Sequence, residues 1–258
     1  MKIGISAIGY ECAEHLDSVL KPWIECKNKY KEDGGDEFYI SASHGLFPET
    51  YELGFPIHST DGTIERLKQY ESIGEIDYFQ VLESPTFEKD IRNSTLPFLL
   101  CQDIDILWLL DLQDEIYTTT QIYNILNYVE NSPQDWFKIN FKNYIFDQGT
   151  YIDDFVAPRI WKNYTNQGIN KFYYDNEILF NNGKHAKELP HTMIPRDIGF
   201  IKHLSWVGSK EYLTRKINFQ KIHYGTCSYR WDDNINALSF NEEYYFKTNK
   251  KMPIIYKD

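Results

Sequence analysis

The stretch DIDILWLLDLQDEIYTTTQI, Asp103 to Ile122, sets an unbroken apolar run against three acidic residues. Ile104, Ile106, Leu107, Trp108, Leu109 and Leu110 show no polar alternation. That pattern predicts a strand buried on both faces, as found at the centre of a parallel sheet. Asp111, Asp114 and Glu115 follow at once. Two readings account for acids at that point. They can support a helix over 121–130, capped within Thr118 to Thr120 and favoured by negative charge near its start. Alternatively they form a divalent-metal site at the carboxyl end of a central strand. The stretch by itself leaves both open.

Upstream, KIGISAI (2–8) predicts a strand. The segment after it, 9–27, places Leu16, Val19, Leu20, Trp23 and Ile24 at helical spacing. EFYISASHG (37–45) reads as a second strand and TDGTIERLKQYESIG (60–74) as a helix opened by an Asp/Thr cap, with Ile64, Leu67 and Tyr70 on one face. A strand, IDYFQVL (76–82), and a helix over 88–102 lead into the opening stretch. Four strand–helix alternations within about 120 residues predict an α/β fold, with a mainly parallel central sheet flanked by helices. Ligands of open sheets of this kind sit beyond the carboxyl ends of the strands. Asp111, Asp114 and the Ser43-His44 pair lie at such ends.

The second half is less regular. Strands are expected over 136–146, 154–162 and 197–206, and a short helix over 209–220, while 171–180 fits either form. With no repeat, low-complexity tract or linker, a single domain over 1–258 is expected.

Of 258 residues, 42% are hydrophobic and 25% charged, an ordinary globular composition. The 20 Tyr, 16 Phe and 6 Trp suit either a codon bias or a carbohydrate-contacting surface. A net charge of −11 argues against a nucleic-acid partner. A diphosphate-bearing substrate would then require a local cation, either a metal ion or an Arg/Lys cluster. The four cysteines lack CxxC spacing, and Cys12 with His15 is too small a set for zinc, so reduced thiols are expected. No apolar segment approaches the roughly 18 residues of a membrane span. The opening residues read as a strand rather than a signal peptide. These features predict a soluble, cytoplasmic protein without a transmembrane segment.

A further segment, HSTDGTIERLKQY (His58–Tyr70), resembles the STDGT-x-E-x-L segment of family 2 glycosyltransferases, which have the GT-A fold. Arg92-Asn93 in DIRNSTLPFLL looks like the family's RN-containing helix, and Asp111-Leu-Gln-Asp114 like its D-x-D motif. IKHLSWVGSKEYLTRKI (201–217) resembles the HLSW-type segment of related enzymes, where a late histidine completes the metal site. The resemblance covers about the first 120 residues and then 197–217. It implies a GT-A, Rossmann-like fold, with a nucleotide-sugar-binding half over 1–120 and an acceptor-side half over 121–258. It also implies transfer of a sugar from a nucleotide-sugar donor to a hydroxyl of a glycan or similar acceptor, inverting by family habit. Mn²⁺ or Mg²⁺ would bridge the donor phosphates. On this reading Asp111, Asp114 and His203 are the metal residues, with Asp111 also near the donor.

The sequence departs from the family where an early aspartate reads the base, since Pro56, Ile57 and His58 precede Ser59. That role then falls to Ser43 or His44, or to Tyr10 and Glu11, with Asp61 and Arg92 as further donor contacts; for Asp61 a helix cap is the simpler role. The D-x-D motif is stretched to D-x-x-D, with Gln113 at the usual second position. The expected catalytic base is a carboxylate of the second half. Asp154 is the first choice, ahead of Asp197, with Asp153, Asp175 and Glu177 as further candidates. Arg159, Arg196 and Lys202 are candidates for phosphate pairing, and Trp161, Trp206 and Trp231 for sugar stacking, against surface ion pairs and core packing. Two other functions fit parts of the pattern. One is a sugar nucleotidyltransferase, opposed by the lack of a Gly-rich loop in IGYECAEHL. The other is a catalytically silent carbohydrate- or nucleotide-binding module.

Overall fold

A computed structural model describes residues 1–35, 37–162, 169–173, 177–180, 191–223, 225–248 and 250–258. The first half runs β1 (Ile3–Gly9), α1 (Leu16–Glu32), β2 (Phe38–His44), α2 (Pro48–Glu52), α3 (Thr63–Ser72), β3 (Tyr78–Val81), α4 (Glu88–Cys101) and β4 (Ile106–Asp111). It continues through β5 (Glu115–Ile116), α5 (Thr119–Asn131), β6 (Trp136–Ile145), β7 (Thr150–Lys162), β8 (Ile169–Tyr173), β9 (Glu177–Phe180) and β10 (His191–Met193). The last elements are β11 (Ile201–Trp206), α6 (Lys210–His223), β12 (Tyr229–Asp232), β13 (Ala237–Phe240), α7 (Glu242–Thr248) and β14 (Ile255–Lys257).

Most strands join one mixed, mostly parallel sheet in the order β3-β2-β1-β4-β7-β6-β11-β5, with β10 on β6 and β14 on β7. β3, β2, β1 and β4 are mutually parallel, and β7 enters antiparallel to both β4 and β6. This is an α/β architecture compatible with a Rossmann-like fold. Among the described residues, no helix is long and apolar enough to cross a membrane.

The predicted central strand is β4, and its apolar residues divide between two cores. Ile106, Trp108 and Leu110 pack with α1 and α5, while Leu107 and Leu109 pack against Leu96, Leu99 and Trp161. Each face needs its own apolar set, which explains the missing alternation. Trp23 of α1 meets Trp108 and Tyr117 edge-on at 4.7 and 5.3 Å, an arrangement that suits the ring quadrupoles. α1 buries Leu16, Val19, Leu20, Trp23 and Ile24, the face read from the sequence. A third, smaller core joins Ile145, Ile152 and Trp206 to Leu213, Ile217 and the β12–β13 hairpin. It anchors α6 beside the carboxyl ends of β1 and β4.

The helix-start reading of the acids does not hold. α5 is capped by Thr118, whose side chain accepts from the Gln121 N–H while Gln121 returns a bond to the Thr118 backbone, and no acid lies in its first turn. Asp111, Asp114 and Glu115 are drawn into side-chain ion pairs instead.

Candidate functional site

In the order β3-β2-β1-β4 the chain reverses its direction of winding at β1, so the crevice between the carboxyl ends of β1 and β4 is the topological switch point. A cleft opens there, enclosing about 930 Å³ counting its open mouth. Its floor is Ile8, Gly9 and Tyr10 from the end of β1 with Asp111 and Gln113 from the end of β4. Gly45, Phe47, Glu88 and Ile91 form one side; Tyr212, Arg215, Lys216 and Phe219 of α6 form the other. At Gly45 a Cβ would come within 2.7 Å of Ile91, so only glycine lets α4 approach this closely. The space suits a nucleotide-sized ligand.

Beneath the floor lies a dense set of charges. Arg92 of α4, fully buried, donates to Asp111 Oδ1 at 2.5 Å, to Glu88 Oε1 at 2.9 Å and to the Ser6 carbonyl at 3.4 Å. Arg159 of β7 reaches Asp111 Oδ2 at 3.1 Å and grips Glu115 through two nitrogens. Asp114 Oδ1 faces His203 Nε2 at 3.2 Å, and Oδ2 accepts from Lys216 Nζ at 2.9 Å. Burial alone would raise both aspartates. Arg92 and Arg159 outweigh it at Asp111, as do His203 and Lys216 at Asp114, and both carboxyls lie below their ordinary range. At Glu115 burial prevails over Arg159, with Asp111 adding its own charge, and the carboxyl is pushed up to about 7.

The STDGT segment does something the sequence did not announce. The loop after β1 presents three successive backbone N–H groups, and side chains of this segment accept all three. Glu11 N bonds Ser59 Oγ at 2.8 Å, Cys12 N bonds Thr63 Oγ1 at 2.9 Å, and Ala13 N bonds Asp61 Oδ2 at 2.9 Å. Asp61 Oδ1 also accepts from Thr63 N at 3.0 Å in an Asx turn just before the helix, whose N-cap is Gly62 and not the Asp61 expected. Gly62 sits at φ +92°, which a residue with a Cβ rarely adopts. Glu11 itself has φ +48°, a strained value for a non-glycine, and is held there from both sides. Its Oε1 accepts from Thr60 N at 2.6 Å and its Oε2 from Arg215 at 2.9 Å.

Of the sequence-derived candidates, Tyr10 and Asp111 line the cleft, and Asp114 and His203 do come together. Ser43 and His44 are fully buried. Ser43 bonds Ser94, and His44 accepts from Ser59, its imidazole pushed down to about 4 chiefly by burial. Asp153 and Asp197 line a separate small pocket with Asn140, Lys142, Arg196 and Phe200, and Arg196 pairs with Asp153. The side chains of Asp154 and Glu177, and all of Asp175, lie outside the described residues. Arg159 is spent on Asp111 and Glu115, and Lys202 lies 4.6 Å over the Tyr144 ring. Trp161 and Trp206 are buried in the second and third cores. Lys210 lies over Trp231. Arg215, Lys216, Glu88, Phe47 and Phe219 were missed; the adjacent Arg-Lys in YLTRKI was the one available signal.

These residues fit ion pairing better than a divalent ion. All four oxygens of Asp111 and Asp114 already face Arg92, Arg159, His203 or Lys216. His203 Nδ1 lies 2.6 Å from Asn143 Oδ1, and its Nε2 lies 3.2 Å from Asp114 Oδ1. No protein-family model matches this chain, and a search of curated proteins returns no relative.

Proposed function

We propose that this protein binds a nucleotide-sugar in the β1–β4 cleft and transfers the sugar to a hydroxyl of a glycan or similar acceptor, as a GT-A-type glycosyltransferase. The observation that carries the reading is the cleft's position and lining together. A ligand site at the switch point has aromatic walls from Tyr10, Phe47, Tyr212 and Phe219 for a base and cations from Arg215 and Lys216 for phosphates. Mainly parallel β1–β4, followed by a mixed extension, supports the GT-A assignment without requiring it.

In such a transfer the acceptor oxygen attacks the anomeric carbon as the bond to the diphosphate breaks. The electron pair leaves on the diphosphate, and the acceptor proton goes to a base. The cleft's own carboxylates are Asp111 and Glu88. Asp111 is held ionised between two guanidiniums, a poor proton acceptor. Glu88 accepts from one guanidinium, Arg92 through Oε1, where Asp111 accepts from two, and it is the first side chain to test, followed by Asp154 and Asp197. Incubation with a panel of nucleotide-sugars and glycan acceptors should release free nucleotide from one donor above the blank. Glu88→Gln should slow that release at least roughly a hundredfold with donor binding retained.

A silent binding module is the second reading, favoured by the placement of Asp153 and Asp197 in a different pocket. Binding of a nucleotide-sugar with no release across all acceptors would select it. A nucleotidyltransferase loses support because the N–H groups of Glu11, Cys12 and Ala13, where a phosphate loop would bind, already have side-chain partners.

A further inference from the structure

We infer that the cleft holds the donor diphosphate with the Lys216 ammonium and the Arg215 guanidinium, and that Lys216 stands in for the divalent ion. The inference rests on the nucleotide-sugar reading above. Lys216 Nζ lies 2.9 Å from Asp114 Oδ2, the carboxylate from which a D-x-D-type motif would present its metal. Its side chain is 22% exposed and faces the cleft, while Asp114 behind it is 6% exposed. A positive charge is thus fixed by a buried carboxylate and turned toward the ligand space, the electrostatic task a bound ion would perform.

Arg215, the preceding residue of α6, repeats the arrangement with Glu11, at 2.9 Å and 24% exposed. Glu11 is in turn pinned by Thr60 N and Oγ1, so the guanidinium does not depend on the ligand for its position. A guanidinium beside an ammonium offers a fork and a point charge to one diphosphate. The remaining acids have their own cations: Asp111 has Arg92 and Arg159, and Glu115 has Arg159. The −11 chain therefore meets the requirement for a local cation near the phosphates with side chains of α6.

The test is calorimetric titration of the intact protein with UDP, GDP, CDP, ADP and dTDP, each in EDTA and again in Mn²⁺. At least one diphosphate should bind with the same affinity, within about twofold, in both buffers. Lys216→Met should weaken it by roughly tenfold or more, and Lys216→Arg should restore most of the loss. Binding that appears only with Mn²⁺ overturns the inference and leaves the nucleotide-sugar reading standing. Absence of binding by any diphosphate in either buffer overturns that reading, and the inference with it. Undiminished affinity in Lys216→Met overturns the role given to Lys216, and if that variant does not fold, Lys216→Gln carries the same comparison.

Discussion

In the cleft, Asp114 meets Lys216 with its carboxylate almost wholly buried; in the second pocket, Asp153 meets an Arg196 that is 54% exposed. Each pair joins an aspartate to a cation; Asp153 is itself only 13% exposed, and the difference lies mainly in the cation, 22% exposed at Lys216 against 54% at Arg196. Removing one member of a buried pair strands the other charge away from water and costs about 3–5 kcal/mol. An exposed pair forms in high dielectric, loses side-chain entropy and contributes roughly 0–1 kcal/mol. Ion pairs of the first kind hold the cleft floor in one arrangement. Pairs of the second kind decorate a surface.

The largest effect that sharpens this contrast belongs to Arg92, which is fully buried and serves Asp111, Glu88 and the Ser6 carbonyl. Arg92→Met should lower unfolding free energy by about 3–5 kcal/mol in urea titrations at neutral pH. A loss below about 1 kcal/mol would erase the distinction between the two regions.

The next effect is the pH dependence of Asp114. Its folded carboxyl lies below the ordinary value of 3.8, so its contribution to stability is present above that pH. That contribution fades as the pH falls through 3.8 toward the depressed folded value. The stability gap between the unaltered protein and Asp114→Asn should therefore be widest near neutrality and shrink in acid. Glu115 works in the opposite sense. Burial raises it to about 7 from 4.5, so ionising it to meet Arg159 costs stability as pH climbs across that window. Replacing it with Gln should flatten the decline. A gap for Asp114→Asn that stays constant from pH 7 to pH 2.5 would show that the pair carries no net linkage.

The smallest effect is expected for Arg196→Ala, at roughly 0–1 kcal/mol, with nucleotide affinity unchanged. A tenfold fall in affinity for any nucleoside diphosphate would place the second pocket within the donor site and break the comparison from the other side.

The first half of the fold was legible because its determinants are local. The uninterrupted apolar run of β4, the helical spacing of Leu16, Val19, Leu20, Trp23 and Ile24, and the Thr118 cap each lie within a few residues of what they specify. Asp114 and His203 were paired through a resemblance of motifs, and they lie 3.2 Å apart. The cations were not legible in the same way. Arg92 was read through its motif as a donor contact, yet it lies on the buried face with Ile91, Thr95, Leu96 and Leu99. Lys216 finds Asp114 across 102 residues and Arg215 finds Glu11 across 204. Such pairings depend on where β11 and α6 return to the sheet, which no local period encodes. The same limit concealed the second job of STDGT, since the N–H groups it satisfies lie about fifty residues earlier.

Anchorage of α6 in the third core has a consequence for the order of events during synthesis. A chain emerging from the ribosome exposes its N-terminal residues first, and units fold as they are completed. By Asp111 the parallel strands β1 to β4 have all emerged, yet Arg215 and Lys216 come about a hundred residues later. They are then held in place only once Leu213 and Ile217 pack with Trp206, Tyr229 and Leu238. The floor itself waits for β7, which brings Arg159 to Asp111 and Trp161 to Leu107 and Leu109, and the α6 cations follow later still. The α6 wall of the cleft is therefore completed only after the β12–β13 hairpin has been made, since Leu213 and Ile217 pack against Tyr229 and Leu238.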